Sequence, residues 1–177
     1  MKQLSTLTKT YLAVINILGG YILISNLDGM KVLDPGFLAI LALLGGILHV
    51  LKVEGPTNRS HFTISFIVFG FTLALSGSPD ILIVILVANL FQWLVDPPPA
   101  WYIQPFNIGC YVITAQFAGF IYKSINPYGD LTSSTTIIAI VASAAGFTLI
   151  NHLMPSPNGS TRKVSRELTA FAWAWPC

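Results

Sequence analysis

Apolar residues in this chain come in long unbroken runs, neither alternating nor confined to one helical stripe. Six windows carry no charged residue at all: Tyr11–Leu27, Pro35–Leu51, Ser60–Leu75, Ile81–Val95, Trp101–Tyr122 and Thr132–Leu153. A helix of about 17–25 residues crosses a bilayer, so the pattern predicts six membrane helices, the fourth of them short. The punctuation agrees with the windows. Pro35 suits a first helical turn, where no backbone N–H is needed. Ser76-Gly77-Ser78-Pro79 predicts a tight turn. Asp96-Pro97-Pro98-Pro99 stops the fourth helix, because proline lacks an N–H and clashes with the preceding turn. Barrel strands would alternate in hydrophobicity, and open sheet edges in lipid would leave backbone groups unsatisfied. The predicted fold class is therefore all-α: a polytopic integral membrane protein with a bundle of six transmembrane helices.

Composition supports this reading. Of 177 residues, 54% are hydrophobic and 9% charged, with a mean hydropathy of +0.71. Soluble domains carry roughly 25% charged residues. A soluble domain, a disordered chain and a nucleic-acid binder are excluded on that ground. Two cysteines, Cys110 and Cys177, form neither a disulfide framework nor a zinc pattern.

Placing the charges orients the bundle. With six spans both termini share one side, and that side collects Lys2, Lys9, Lys52, Arg59, Arg162, Lys163 and Arg166. The other side holds Lys31 and Lys123 among the acids Asp28, Asp34, Asp80 and Asp130. The positive-inside rule then puts both termini in the cytoplasm. No small-x-small cleavage site follows the first apolar run, so it reads as an uncleaved span. Two regions result: a transmembrane domain over 1–153 and a cytoplasmic interfacial tail over 154–177, where Phe171, Trp173 and Trp175 follow a basic patch.

Polar side chains inside a bilayer are costly, and each calls for a partner. Asn89 and Gln92, three residues apart and so on one helix face, lie with Asn107 in the cytoplasmic half. Gln116 sits mid-span in the fifth helix, and Asn16 is similarly deep in the first. Asn89, Gln92, Asn107 and Gln116 are the candidate ligand-binding residues, with hydrogen bonding between helices as the competing role. Ala115 with Gly119 and Ala142 with Gly146 repeat at four-residue spacing, which lets helices approach closely. Phe62, Phe66 and Phe69 share one face of the third helix, facing core, lipid or an apolar cavity.

Three histidines, His49, His61 and His152, are expected at span ends, where headgroups or water meet them. None is paired at the i, i+4 spacing of a helical metal motif. No phosphate loop, nucleophile elbow or zinc helix motif occurs. No metal, cofactor or catalytic residue is predicted, and the chain reads as non-enzymatic. Glu54, between His49 and His61, is the one constellation that would contradict this.

Glu54-Gly55-Pro56-Thr57-Asn58-Arg59-Ser60 leads into the aromatic third window, and Trp101-Tyr102-Ile103-Gln104-Pro105-Phe106-Asn107-Ile108-Gly109 opens the fifth. These segments resemble the N-terminal multi-pass membrane regions of bacterial cyclic di-GMP signalling proteins. Those proteins carry an HD-GYP phosphodiesterase or GGDEF cyclase domain after the last span. The resemblance covers about Gly36 to Leu153. It implies a sensory or anchoring module and carries over no catalytic residue. At its C-terminus the chain departs from the pattern, since Pro155-Ser156-Pro157 follows the sixth window and no output domain is expected before Cys177. Two further functions stay open. One is a small-molecule transport component like the substrate-binding subunits of energy-coupling-factor vitamin transporters. The other is an accessory subunit of a larger membrane complex. The expected partners are the lipid bilayer, a small-molecule ligand, and a membrane-protein partner or a second copy of the chain; nucleic acid is not among them.

Overall fold

The computed structural model describes residues 6–27, 34–54, 61–76, 78–98, 100–129 and 131–154. The aromatic tail, Arg59, and Asp28, Lys31 and Asp130 of the expected outer loops lie outside them. Among the described residues there are six helices and one short hairpin: α1 (Thr6–Leu27), α2 (Pro35–Val50), β1 (Lys52–Glu54), β2 (His61–Thr63), α3 (Ser65–Ser76), α4 (Ser78–Val95), α5 (Ile103–Ile125) and α6 (Ser134–Leu153).

Local chemistry sets several boundaries. The Asp34 carboxylate accepts hydrogen bonds from Gly36 N at 3.0 Å and Phe37 N at 3.1 Å, capping α2, and Pro35 fills the first turn. Replacing an N-cap of this type by alanine costs about 1 kcal/mol, so Asp34→Ala is expected to lower unfolding stability in detergent by about that amount. An unchanged melting temperature would show that the cap contributes nothing. Ser133 caps α6 in the same way, accepting from Thr135 N at 3.2 Å.

The architecture is helical as expected, with two differences. The sequence reading ran the third helix from Ser60. Instead His61–Thr63 pairs antiparallel with Lys52–Glu54, setting Lys52 opposite Thr63, Val53 opposite Phe62 and Glu54 opposite His61. Aromatic and β-branched residues favour such pairing, and an uncharged window does not itself report where helix begins. The second difference is length. Among the described residues three helices are long and apolar enough to cross a membrane: α1 over Thr6–Asn26, α5 over Ile103–Ile125 and α6 over Ser134–Asn151. At 1.5 Å rise per residue, α2, α3 and α4 measure about 24, 18 and 27 Å, short of a hydrocarbon core of roughly 30 Å. Six spans do not follow from these lengths.

Helix α4 is the hub. Leu82, Val84, Ile85, Ala88 and Asn89 are wholly buried, and α4 packs on α2, α3 and α5. Around it, α5 carries α1 on one flank and α6 on another. Asp80 belongs to the first turn of α4 and is fully enclosed, rather than sitting in an outer loop. A carboxylate there suits the positive end of the helix dipole.

Glycines decide how close the helices come. A Cβ on Gly19 of α1 would lie 2.6 Å from the Gly109 Cα of α5, and one on Gly109 would lie 3.0 Å from the Ile15 carbonyl oxygen. The α1–α5 crossing is thus backbone against backbone. On α2, a Cβ at Gly45 would meet Val84 at 3.1 Å, and one at Gly46 would meet Phe91 at 3.1 Å. The outer faces of the bundle are apolar, with Ile17, Ile24, Ile40, Ile67, Phe120, Ile137 and Val141 all exposed. That exterior, with three helices of spanning length, is compatible with a membrane location.

Candidate functional site in the polar core

Hydrogen bonds join different helices at three levels of the bundle. At the first, the Gln104 amide, on the opening turn of α5, donates to the Asn89 backbone oxygen at 2.7 Å and to Asn89 Oδ1 at 3.2 Å. The Asn89 amide in turn donates to the Ile85 carbonyl one turn back, at 2.9 Å. Both residues are buried, Asn89 at 0% and Gln104 at 2% exposure. With Gln104 donating to Asn89 and Asn89 donating to its own helix, both amide nitrogens avoid the cost of an unsatisfied buried donor.

At the second level, His49 of α2 lies within 2.8 Å of Ser65 Oγ through its Nδ1. Its ring meets Tyr111 edge-on at 5.5 Å and Phe69 at 6.2 Å, and Tyr111 stacks on Phe147 at 6.1 Å. Residues of α2, α3, α5 and α6 therefore share one aromatic cluster. The sequence reading placed His49 among headgroups or water; it is instead enclosed, at 2% exposure. The last turn of α2 is turned inward because Gly45 and Gly46 bring that helix close to α4.

At the third level, Tyr122 of α5 donates to the Ala74 carbonyl at the end of α3, at 3.3 Å. The Asn126 amide donates to Tyr122 Oη at 3.3 Å and to Thr136 Oγ1 of α6 at 2.9 Å. This chain links α3, α5 and α6.

The candidate residues do not converge on one pocket. Asn89 is bonded to Gln104. Gln92 and Asn107 lie one turn from Asn89 and Gln104 respectively and are half-buried; among the described residues no hydrogen bond joins them to the pair. Gln116 stands twelve residues beyond Gln104 on α5, about 18 Å along the axis. Its Oε1 is enclosed with no hydrogen-bond partner among the described residues. Asn16 turns back on its own helix, donating to the Leu12 carbonyl at 2.8 Å. Of the third-helix aromatics, Phe69 is core and Phe66 is exposed.

Sequence reasoning missed Gln104, Ser65, Tyr122 and Asn126. Gln104 lies in the same uncharged window as Asn107, so the rule that selected Asn107 applies equally to it. Among the described residues, no three His, Cys, Asp or Glu side chains gather as a metal site. The side chains of Glu54, His61 and His152 fall outside that description, although the register sets Glu54 and His61 opposite each other on the backbone.

Comparison with family models, with curated proteins and with solved structures finds no match to this chain.

Proposed function

We propose that the chain is a non-enzymatic integral membrane module that senses or anchors, of the kind that precedes cyclic di-GMP output domains in bacterial signalling proteins. The observation that carries this reading is the linkage of the helices. Asn89 with Gln104, His49 with Ser65, and Asn126 with Thr136 connect α4 to α5, α2 to α3 and α5 to α6. Helices joined by buried polar contacts have few intermediate arrangements, so a displacement of one is passed to its neighbours as a discrete shift. A bundle of this kind transmits; its polar groups serve to hold helices together.

The proposed topology is six crossings with both termini in the cytoplasm of a bacterium. The excess of Lys and Arg on the side of the hairpin favours that side as cytoplasmic.

The test uses the whole chain, purified in detergent and also displayed in intact cells. Cyclic di-GMP turnover is expected to be nil, and native mass spectrometry is expected to show a retained ligand or partner. A cysteine placed at Thr57 is expected to resist an impermeant thiol reagent applied from outside, whereas one at Asp34 reacts. Turnover of the nucleotide, or outside labelling at Thr57, would overturn the proposal.

A further inference from the structure

Side-chain amides in the helices are either bonded or close to a helix end, with one exception. Asn16 and Asn89 donate to carbonyls of their own helices, at 2.8 and 2.9 Å. Gln104 is bonded to Asn89. Gln92 and Asn107 lie about one turn from the end of α4 and the start of α5, where headgroups and water reach. Gln116 stands about 20 Å from the start of α5 and about 14 Å from its end. Its Oε1 is enclosed without a hydrogen-bond partner; its Nε2 is not enclosed, and the residue as a whole is half-buried. An unpaired amide at that depth in a bilayer is costly.

The face that carries it is uncovered. Ile113, Gln116, Phe117, Phe120 and Ser124 share one side of α5, with Phe117 43% and Phe120 69% exposed. Helices α1, α4 and α6 pack on the rest of α5. Lipid does not supply the missing partner, because its ester and phosphate oxygens stay at the interface, roughly 15 Å from the bilayer centre. A partner has to bring a polar group to the same depth, and a second copy does so by symmetry. Copies inserted in one orientation are related by a two-fold axis along the membrane normal, and a residue near that axis meets its own counterpart at equal depth. A carboxamide is donor and acceptor at once, so it is complementary to itself. It turns about χ3 between two broad, nearly equivalent orientations, and no bond holds Gln116 in either. One copy then presents its Nε2–H and the other, turned by half a revolution, its Oε1.

We propose that the chain self-associates through this face of α5 as a parallel two-fold dimer, in which Gln116 of one copy is hydrogen-bonded to the partner's Gln116 and Phe117 and Phe120 pack around the pair. The inference rests on the membrane-embedded reading above and gives the sensory module its partner. Gln104 ties α5 to α4 and Asn126 ties it to α6, so a change at the dimer seam reaches both helices.

The experiment counts subunits of the full chain in phosphatidylcholine vesicles by single-molecule photobleaching over a range of protein-to-lipid ratios. Dimers are expected, in a fraction that rises with the ratio. Gln116→Leu is expected to raise the dimer dissociation constant about tenfold, the effect of one interhelical hydrogen bond in lipid. The same variant is expected to melt no lower than the unmodified chain, because leucine leaves no enclosed oxygen unsatisfied; its loss of dimer is then not a loss of fold. In a Cys177→Ser background, Phe120→Cys is expected to cross-link two copies on mild oxidation. Ile40→Cys is the control: Ile40 is 62% exposed on α2 and, like Phe120, about 8 Å from the nearer end of its helix, and it is expected not to cross-link. A chain that is monomeric at every ratio, a leucine variant that dimerises equally well, or cross-linking at Ile40 rather than Phe120 overturns the proposal. A monomeric chain leaves the sensory reading standing, whereas nucleotide turnover would remove that reading without touching the dimer.

Discussion

Gly19→Leu is expected to lower the unfolding stability of the detergent-solubilised chain by about 3 kcal/mol, the upper part of the range for inserting side-chain bulk into a packed contact. The cause is the 2.6 Å separation between a Cβ at position 19 and the Gly109 Cα. The far end of a flexible side chain could rotate away, but a helix backbone has to move bodily. Gly20 is the internal control, since a Cβ there meets nothing within 4 Å. Gly20→Leu is expected to be neutral or mildly stabilising, because glycine is a poor helix former. Melting curves for the two variants decide the matter: equal losses would mean that α1 and α5 do not cross at Gly19.

Gln104→Leu is the second large effect, expected to cost about 1–3 kcal/mol. The substitution removes the donor to the Asn89 oxygens while leaving Asn89 buried. In a membrane or detergent, polar groups find other partners in the unfolded state, which would place the outcome toward the lower end. Combining Gln104→Leu with Asn89→Leu is expected to cost clearly less than the sum of the single changes, since residues in one network couple by about 0.5 kcal/mol or more. Gln92→Leu, at a half-buried position one turn away, is expected to stay within about 0.5 kcal/mol of the unmodified chain. A larger loss at Gln92 than at Gln104 would contradict the pairing.

Much of the architecture was legible in the order of residues. Pro35 after Asp34 fixed the start of α2, and the triple proline after Asp96 fixed the end of α4. The start of α3 was not legible, because the pairing of Val53 with Phe62 is a contact across a loop, and an uncharged window looks the same whether helix or strand occupies it. Asp80 was misplaced for a related reason: Ser78 and Pro79 read as turn residues but open α4, so the helix begins before its acid. The site was legible in kind and only partly in position. The rule that a deep amide needs a partner selected Asn89, and its partner lay in a segment noticed for its aromatic residues. His49 shows the limit of depth arguments. Its distance from the end of the second window suggested water, while the lateral packing of α2, set by Gly45 and Gly46, enclosed it. Helix ends can be counted along a chain, but which way the last turn faces depends on neighbours.

For a chain embedded in a bilayer, the unequal helix lengths would have a consequence for the lipid. Helices α1 and α5 present apolar flanks of about 33 and 35 Å, whereas the exposed Phe66, Ile67 and Phe71 belong to an α3 of about 18 Å. In a bilayer one molecule would therefore ask for two hydrocarbon thicknesses along different helices. A bilayer accommodates such mismatch by thinning beside the short helix and by tilting the long ones, at a cost of fractions of a kcal/mol per ångström. In a bilayer, lipid chain length would thus act on this protein as a mechanical load, leaning α1 and α5 relative to the α2–α3 arm, and the same sequence would stand at different angles in thin and thick membranes.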